Sequence, residues 1–114
     1  MTDITQFSEQ QPRRQSPRIP GPFEARLSGS SAVAVRVRDL STAGCFVEGD
    51  DDIPISDDMR LHIDLPGEGW ISSRTEMVYR LGRQGVAMKF LEIDEATRAR
   101  ILREIERTLT QTGL

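Results

Sequence analysis

Arg14-Gln15-Ser16-Pro17-Arg18 sets two guanidinium groups four positions apart, an R-x-x-x-R pattern with Arg13 directly before it. Asp39-Leu40-Ser41-Thr42-Ala43-Gly44 reads D-x-S-x-x-G, with 20 residues between Arg18 and Asp39. In an extended chain Arg14 and Arg18 lie roughly 13–14 Å apart at most, at ~3.3–3.6 Å per residue. That span suits a ligand with several separated acceptors better than a single phosphate. Arginine pairs bidentately with the O6/N7 edge of guanine and stacks over aromatic rings. Asp39 offers acceptors to the N1–H and N2–H₂ donors of the opposite guanine edge. Ser41 adds a short donor and acceptor, and Gly44 lets a backbone approach closely or turn with positive φ. An anionic, guanine-bearing ligand satisfies both motifs at once. Each motif alone is a weak signal, since Asp39 and Ser41 could simply build an Asx-type turn between strands. Their order, their spacing and the pair of strands between them make the combination specific.

The other polar residues offer no second constellation. His62 is the sole histidine and Cys45 the sole cysteine. That excludes multi-His metal sites, Cys-based zinc sites and an intrachain disulfide. His62 falls on the polar side of an alternating segment and reads as a surface histidine. Ser41 and Asp64 supply the residue types of a hydrolase triad, but nothing places the three together and no G-x-S-x-G elbow is present. Cys45 reads as a small buried hydrophobe. Glu48, Asp50, Asp51, Asp52, Asp57 and Asp58 form an acidic run without a base. The run lacks the spacing, glycine and closing glutamate of an EF-hand and reads as a solvated turn.

The chain has 114 residues, enough for one domain with one modest core. Its net charge of −3 argues against a general nucleic-acid coat. Fourteen arginines stand against one lysine. That bias suits planar, bidentate anion recognition, and equally reflects a genomic base composition. No apolar run approaches the ~20 residues of a membrane span, and the polar N-terminus lacks a secretory signal. A cytoplasmic protein without metal is the expectation.

The elements that must position the motifs follow from hydrophobic period. Residues 1–12 are polar and aperiodic and read as a mobile arm. Residues 13–22 hold three arginines and three prolines, which predicts an extended loop. From Phe23 the period is two: Phe23, Ala25 and Leu27, then Val33, Val35 and Val37 after a Ser/Gly turn. Asp39–Gly44 reads as a turn, Cys45–Val47 as a short strand, and Met59–Leu65 as a strand with four inward apolar residues. Residues 70–81 form a longer strand of uncertain register, reversing at 82–85 into Val86–Leu91. Asp94 caps a helix from Glu95 to about Thr110, with Ile101, Leu102, Ile105 and Leu109 on one face. The expectation is a mainly β fold: a six-stranded antiparallel barrel whose open end or side is covered by the C-terminal helix.

The two motifs in this order resemble the PilZ domain, a bacterial receptor for cyclic di-GMP. The family pattern is R-x-x-x-R on an N-terminal loop followed by D/N-x-S-x-x-G in a six-stranded barrel. Arg18-Ile19-Pro20 and Gly85–Ile93 resemble the family's entry into its first strand and its last strand. The resemblance covers about residues 13–109. It implies a barrel with its arginine loop over residues 13–93, and a helix over 94–112 packed on it. It implies a binding module with no enzymatic role and no bound cofactor, whose ligand is cyclic di-GMP. Arg14 and Arg18 would contact phosphates and guanine edges, while Asp39, Ser41 and Gly44 would surround a guanine. Arg13 stands at a position that tunes stoichiometry in the family and favours a stacked pair of ligands. With no output segment in the sequence, the signal would pass to an unidentified effector protein controlling motility, biofilm or polysaccharide export. The alternatives are a nucleotide-independent PilZ scaffold and a barrel for single-stranded nucleic acid. The second needs several stacking aromatics over a basic groove, so nucleic acid is not the expected partner.

Overall fold

The computed structural model describes residues 17–29, 31–49 and 53–111. Six antiparallel strands close into a barrel in the order β1-β2-β3-β6-β5-β4. They are β1 (Ile19–Ser28), β2 (Ala32–Leu40), β3 (Gly44–Glu48), β4 (Met59–Leu65), β5 (Gly69–Leu81) and β6 (Gly85–Leu91). The period-two segments set the inward face. Met59, Leu61, Ile63 and Leu65 are buried, while Arg60, His62 and Asp64 between them are not. They meet Ala25, Leu27, Val37, Val47, Val86 and Met88 in one core. β5 takes its register from pairs such as Ile63 with Ile71 and Met59 with Thr75. Two of its inward residues, Ser73 and Thr75, are polar and buried, which is why its hydrophobic pattern left the register open.

Two boundaries differ from the sequence reading. β1 begins at Ile19, so residues 19–22 belong to the barrel and not to a loop. Pro20 pairs with Asp39 and Phe23 with Val37, which leaves one extra residue on β1. A bulge of this kind tolerates Pro22, which has no N–H for the ladder. Asp39 and Leu40 end β2, and Gly44 already opens β3, so the turn shrinks to residues 41–43. Leu40 fits a strand because its side chain is completely buried.

The helix α1 (Glu95–Gln111) follows β6 and covers one end of the barrel. The start of β1, the β2–β3 turn, the β4–β5 turn and the end of β6 all lie at that end, as the strand registers require. Asp94 caps the helix, accepting from the Thr97 N–H at 2.7 Å. Ile101 and Ile105 enter the barrel core and Leu109 packs against it. Leu102, expected on the same face, is 41% exposed. It lies ~100° around the helix from Ile101, outside the stripe that positions 101, 105 and 109 define.

Charge fixes the helix to the β4–β5 turn. Glu68 accepts two bonds from Arg103, at 3.1 and 3.2 Å, and one from Arg107 at 2.7 Å. Buried Glu104 accepts from the Gly67 N–H at 3.0 Å and from Arg107 at 2.7 Å. The Arg103 and Arg107 bonds hold the Glu68 pKa below the ordinary glutamate range. A carboxylate depressed below its unfolded value (~4.3) contributes stability that is complete above that value. The contribution is lost as pH falls through the folded pKa. Glu68→Gln should therefore melt lower than the parent at pH 7, and should lose less of its melting temperature between pH 5 and pH 3. Melting curves across that range check it. Parallel acid losses in the two proteins would mean the latch does not link helix docking to pH.

Candidate ligand-binding site

The D-x-S-x-x-G segment spans the end of β2, a tight turn and the first residue of β3. Ser41 is 1% exposed, and its hydroxyl is engaged inside the turn. Its Oγ accepts from the Ala43 N–H at 3.1 Å and the Gly44 N–H at 3.2 Å, and donates to the Gly44 carbonyl at 3.2 Å. The Ser41 N–H donates to the same carbonyl at 2.9 Å. Ser41 therefore shapes the turn from beneath. Gly44 serves close approach. A Cβ there would fall well inside contact distance of the Met88 carbonyl oxygen and 2.9 Å from Lys89 Cα, both on β6.

Asp39 is left partly exposed at the surface, and Arg18 reaches it. Arg18 Nη1 donates to Asp39 Oδ1 at 2.5 Å, with side-chain exposures of 46% and 32%. The pairing at the start of β1 positions this contact, because Arg18 lies two residues before Pro20, the partner of Asp39, with only Ile19, the partner of Leu40, between them. One residue from each motif is thus brought together across 20 intervening positions. Arg13 and Arg14 lie outside the described residues.

Around this pair the outer wall of β2, β3, β5 and β6 forms an open hollow of about 750 Å³. Arg18, Asp39 and Gly44 line it, as does Lys89, which pairs with Gly44. Val78, Tyr79 and Leu81 supply an exposed apolar wall from β5. An extra residue on β5 between Met77 and Tyr79 breaks the alternation there. Consecutive side chains 76–79 are consequently all exposed. Arg38 also lines the hollow, and its guanidinium carbon lies 4.3 Å from the centroid of the Phe46 ring. The sequence reading missed Arg38, Phe46, Tyr79 and Lys89. Only the position of Arg38 directly before Asp39 could have signalled one of them, and simple alternation assigned it to a solvated strand face.

Beneath the hollow, Cys45 points into the core. Burial first, and the neighbouring Asp39 charge second, push its thiol well above the ordinary range, so it stays protonated and inert. His62 is remote from both motifs and contacts Ser28 Oγ at 3.2 Å. Burial, then Arg60 and Arg26, lower its pKa, which keeps the ring neutral at pH 7. The described residues contain no group of three or more His, Cys, Asp or Glu able to hold a metal. None of their helices is long and apolar enough to cross a membrane.

Comparisons with known proteins fit this geometry. No curated protein sequence matches the chain significantly. Among solved structures, the Bacillus subtilis inhibitor of motility MotI/DgrA superposes with a TM-score of 0.74 at 17% identity, covering 90% of this chain and 54% of that one. Escherichia coli YcgR in complex with c-di-GMP gives 0.70 at 17% identity, covering 88% and 47%. The PilZ domain of YcgR with c-di-GMP gives 0.66 at 16% identity, covering 89% and 97%. The chain thus spans about half the length of the first two proteins and nearly all of the isolated domain. At these identities the likeness establishes a shared barrel. The PilZ domain family model matches residues 12–107, which takes in both motifs, all six strands and most of the helix, and the chain belongs to that family.

Proposed function

We propose that this protein is a receptor for cyclic di-GMP that binds without converting its ligand and signals to a partner protein. The observation that carries the reading is the contact between Arg18 and Asp39 at the mouth of the hollow. Two groups with complementary roles toward a guanine nucleotide already share one site. In the free protein they satisfy each other, so binding is an exchange. A guanine edge takes the Asp39 oxygens, and Arg18 turns to phosphate or to the O6/N7 edge. Half-exposed ion pairs are worth only about 0–1 kcal/mol, so the exchange costs little. Arg14 joins from the preceding segment, and Ser41 and Gly44 hold the turn that presents Asp39. Arg13 adds a third guanidinium, which favours two stacked ligands over one because their phosphate charges need neutralising. Arg18, directly before β1, stands at the barrel end that the helix covers, and an effector in the cytoplasm reads its change of partner. YcgR structures determined with c-di-GMP support the ligand.

Calorimetry tests the reading. Cyclic di-GMP should bind with two molecules per chain, and Arg13→Ala should reduce that ratio to one. Cyclic di-AMP should bind far more weakly, because each lost bidentate base contact costs roughly 1–3 kcal/mol. GTP and cyclic GMP serve as controls for charge and base alone. Equal affinity for the two dinucleotides would refute guanine recognition by Asp39. A ratio of two that survives Arg13→Ala would remove Arg13 from its role. Failure to bind any nucleotide would favour the scaffold alternative.

A further inference from the structure

Phe46 is an aromatic residue on the outside of the barrel that is nevertheless 5% exposed. Its neighbours Cys45 and Val47 enter the core, so alternation turns Phe46 outward. Arg38 lies over its ring. The register explains how Arg38 gets there. Val37 pairs with Val47 and Asp39 with Phe46, so Arg38 is the extra residue of a bulge and leaves the normal alternation of β2. Its guanidinium sits against the ring, and the side chain stays exposed beside the hollow. Among the described residues, Arg38 makes no ion pair or hydrogen bond. It is directly followed by Asp39 and lines the same hollow.

A guanidinium set against an aromatic ring, with its N–H groups unspent and exposed beside a hollow, is prepared for a planar anionic ligand. Deepening the cyclic di-GMP reading and resting on it, we propose that Arg38 is a further ligand-binding residue. It acts as a platform: the Phe46 ring, the Arg38 guanidinium and a guanine of the ligand form three successive layers. Phe46 positions the guanidinium, and its role is to keep that plane parallel to the incoming base. The edge N–H groups of Arg38 remain available to phosphate oxygens. The arrangement extends recognition beyond the two motifs and adds a stacking face to the polar contacts at Asp39.

Calorimetry with cyclic di-GMP on the intact chain tests this with three variants. Arg38→Ala should raise Kd at least tenfold. Arg38→Lys keeps the charge but loses the plane, and should recover less than half of that loss on a logarithmic scale. Phe46→Leu should weaken binding with an unchanged salt dependence, whereas Arg38→Ala should flatten the salt dependence. Melting of each ligand-free variant verifies that it is folded, and Arg38→Ala should be close to the parent because the side chain is exposed. A parent that binds and an Arg38→Ala protein within twofold of it would overturn this inference and leave the receptor reading standing. Full binding by Arg38→Lys would overturn the platform, because a point charge would then suffice. A parent that fails to bind would remove the receptor reading and this inference with it.

Discussion

Arg18→Ala is expected to weaken cyclic di-GMP binding by about 1.5–3 kcal/mol, roughly 10- to 150-fold, while changing the stability of the free protein little. Both halves of the expectation come from the same contact. With ligand, Arg18 would supply a charge-assisted bond to phosphate or base. Without ligand it is 46% exposed and paired to an Asp39 that is 32% exposed. Such a pair contributes about 0–1 kcal/mol to the fold. Asp39→Ala should lose comparable affinity through the guanine N1–H and N2–H₂ donors, which then have no acceptor. It also releases Arg18 in the free protein, so the ligand no longer has to break the pair. The double variant should therefore be more damaging than the sum of the two single losses, because each single variant is spared breaking the pair while the double is spared it only once. Calorimetry on the four proteins measures the coupling, and melting of the ligand-free forms measures the fold. A large loss of stability in Arg18→Ala would make the contact a structural clamp. Strictly additive binding losses would mean the two residues do not exchange partners.

The barrel was legible because most of its strands obey one rule. β4 alternates four apolar with three polar residues, and all four apolar side chains are buried. Wherever the chain adds a residue to a strand, that rule fails. The three bulges lie at residues 20–23 of β1, 37–39 of β2 and 77–79 of β5. All three border the candidate site. The first directly follows the Pro20–Asp39 pair, the second throws Arg38 over Phe46, and the third exposes Val78 and Tyr79 together. Sequence motifs therefore pointed to Arg18 and Asp39, which the fold brings together, but alternation could not reveal the wall around them. Leu102 shows the same limit on the helix, where a run of apolar residues at 101 and 102 does not say which one faces the barrel. Burial of Ile105 and Glu104 settles it. The Glu68 latch had no sequence signal, because its arginines lie 35 and 39 positions away.

Gly44→Ala is expected to destabilise the ligand-free protein, by about 1–3 kcal/mol or more, the scale of overpacking at a closely packed contact. For a domain of this size that lowers the melting temperature by roughly 4–8 °C per kcal/mol. The added methyl would collide with the Met88 carbonyl oxygen and stand 2.9 Å from Lys89 Cα. Both are backbone atoms of a paired strand, so neither can rotate away as a side chain would. Relief requires β3 and β6 to separate where Gly44 pairs with Lys89. That movement also strains the turn, because the Gly44 N–H and carbonyl both engage Ser41. Gly82→Ala is the matched control: its φ of +43° costs an L residue something, but a Cβ there meets nothing within 4 Å. That cost is about 1 kcal/mol, with no steric collision added. The comparison separates two meanings of the motif glycine. If close approach of the two strands is the reason for Gly44, stability and affinity fall together, because the wall beneath the ligand shifts. If Gly44 exists to admit the ligand, Gly44→Ala should melt like the parent and lose binding alone. The packing against β6 favours the first outcome, and melting beside calorimetry on the same protein decides between them.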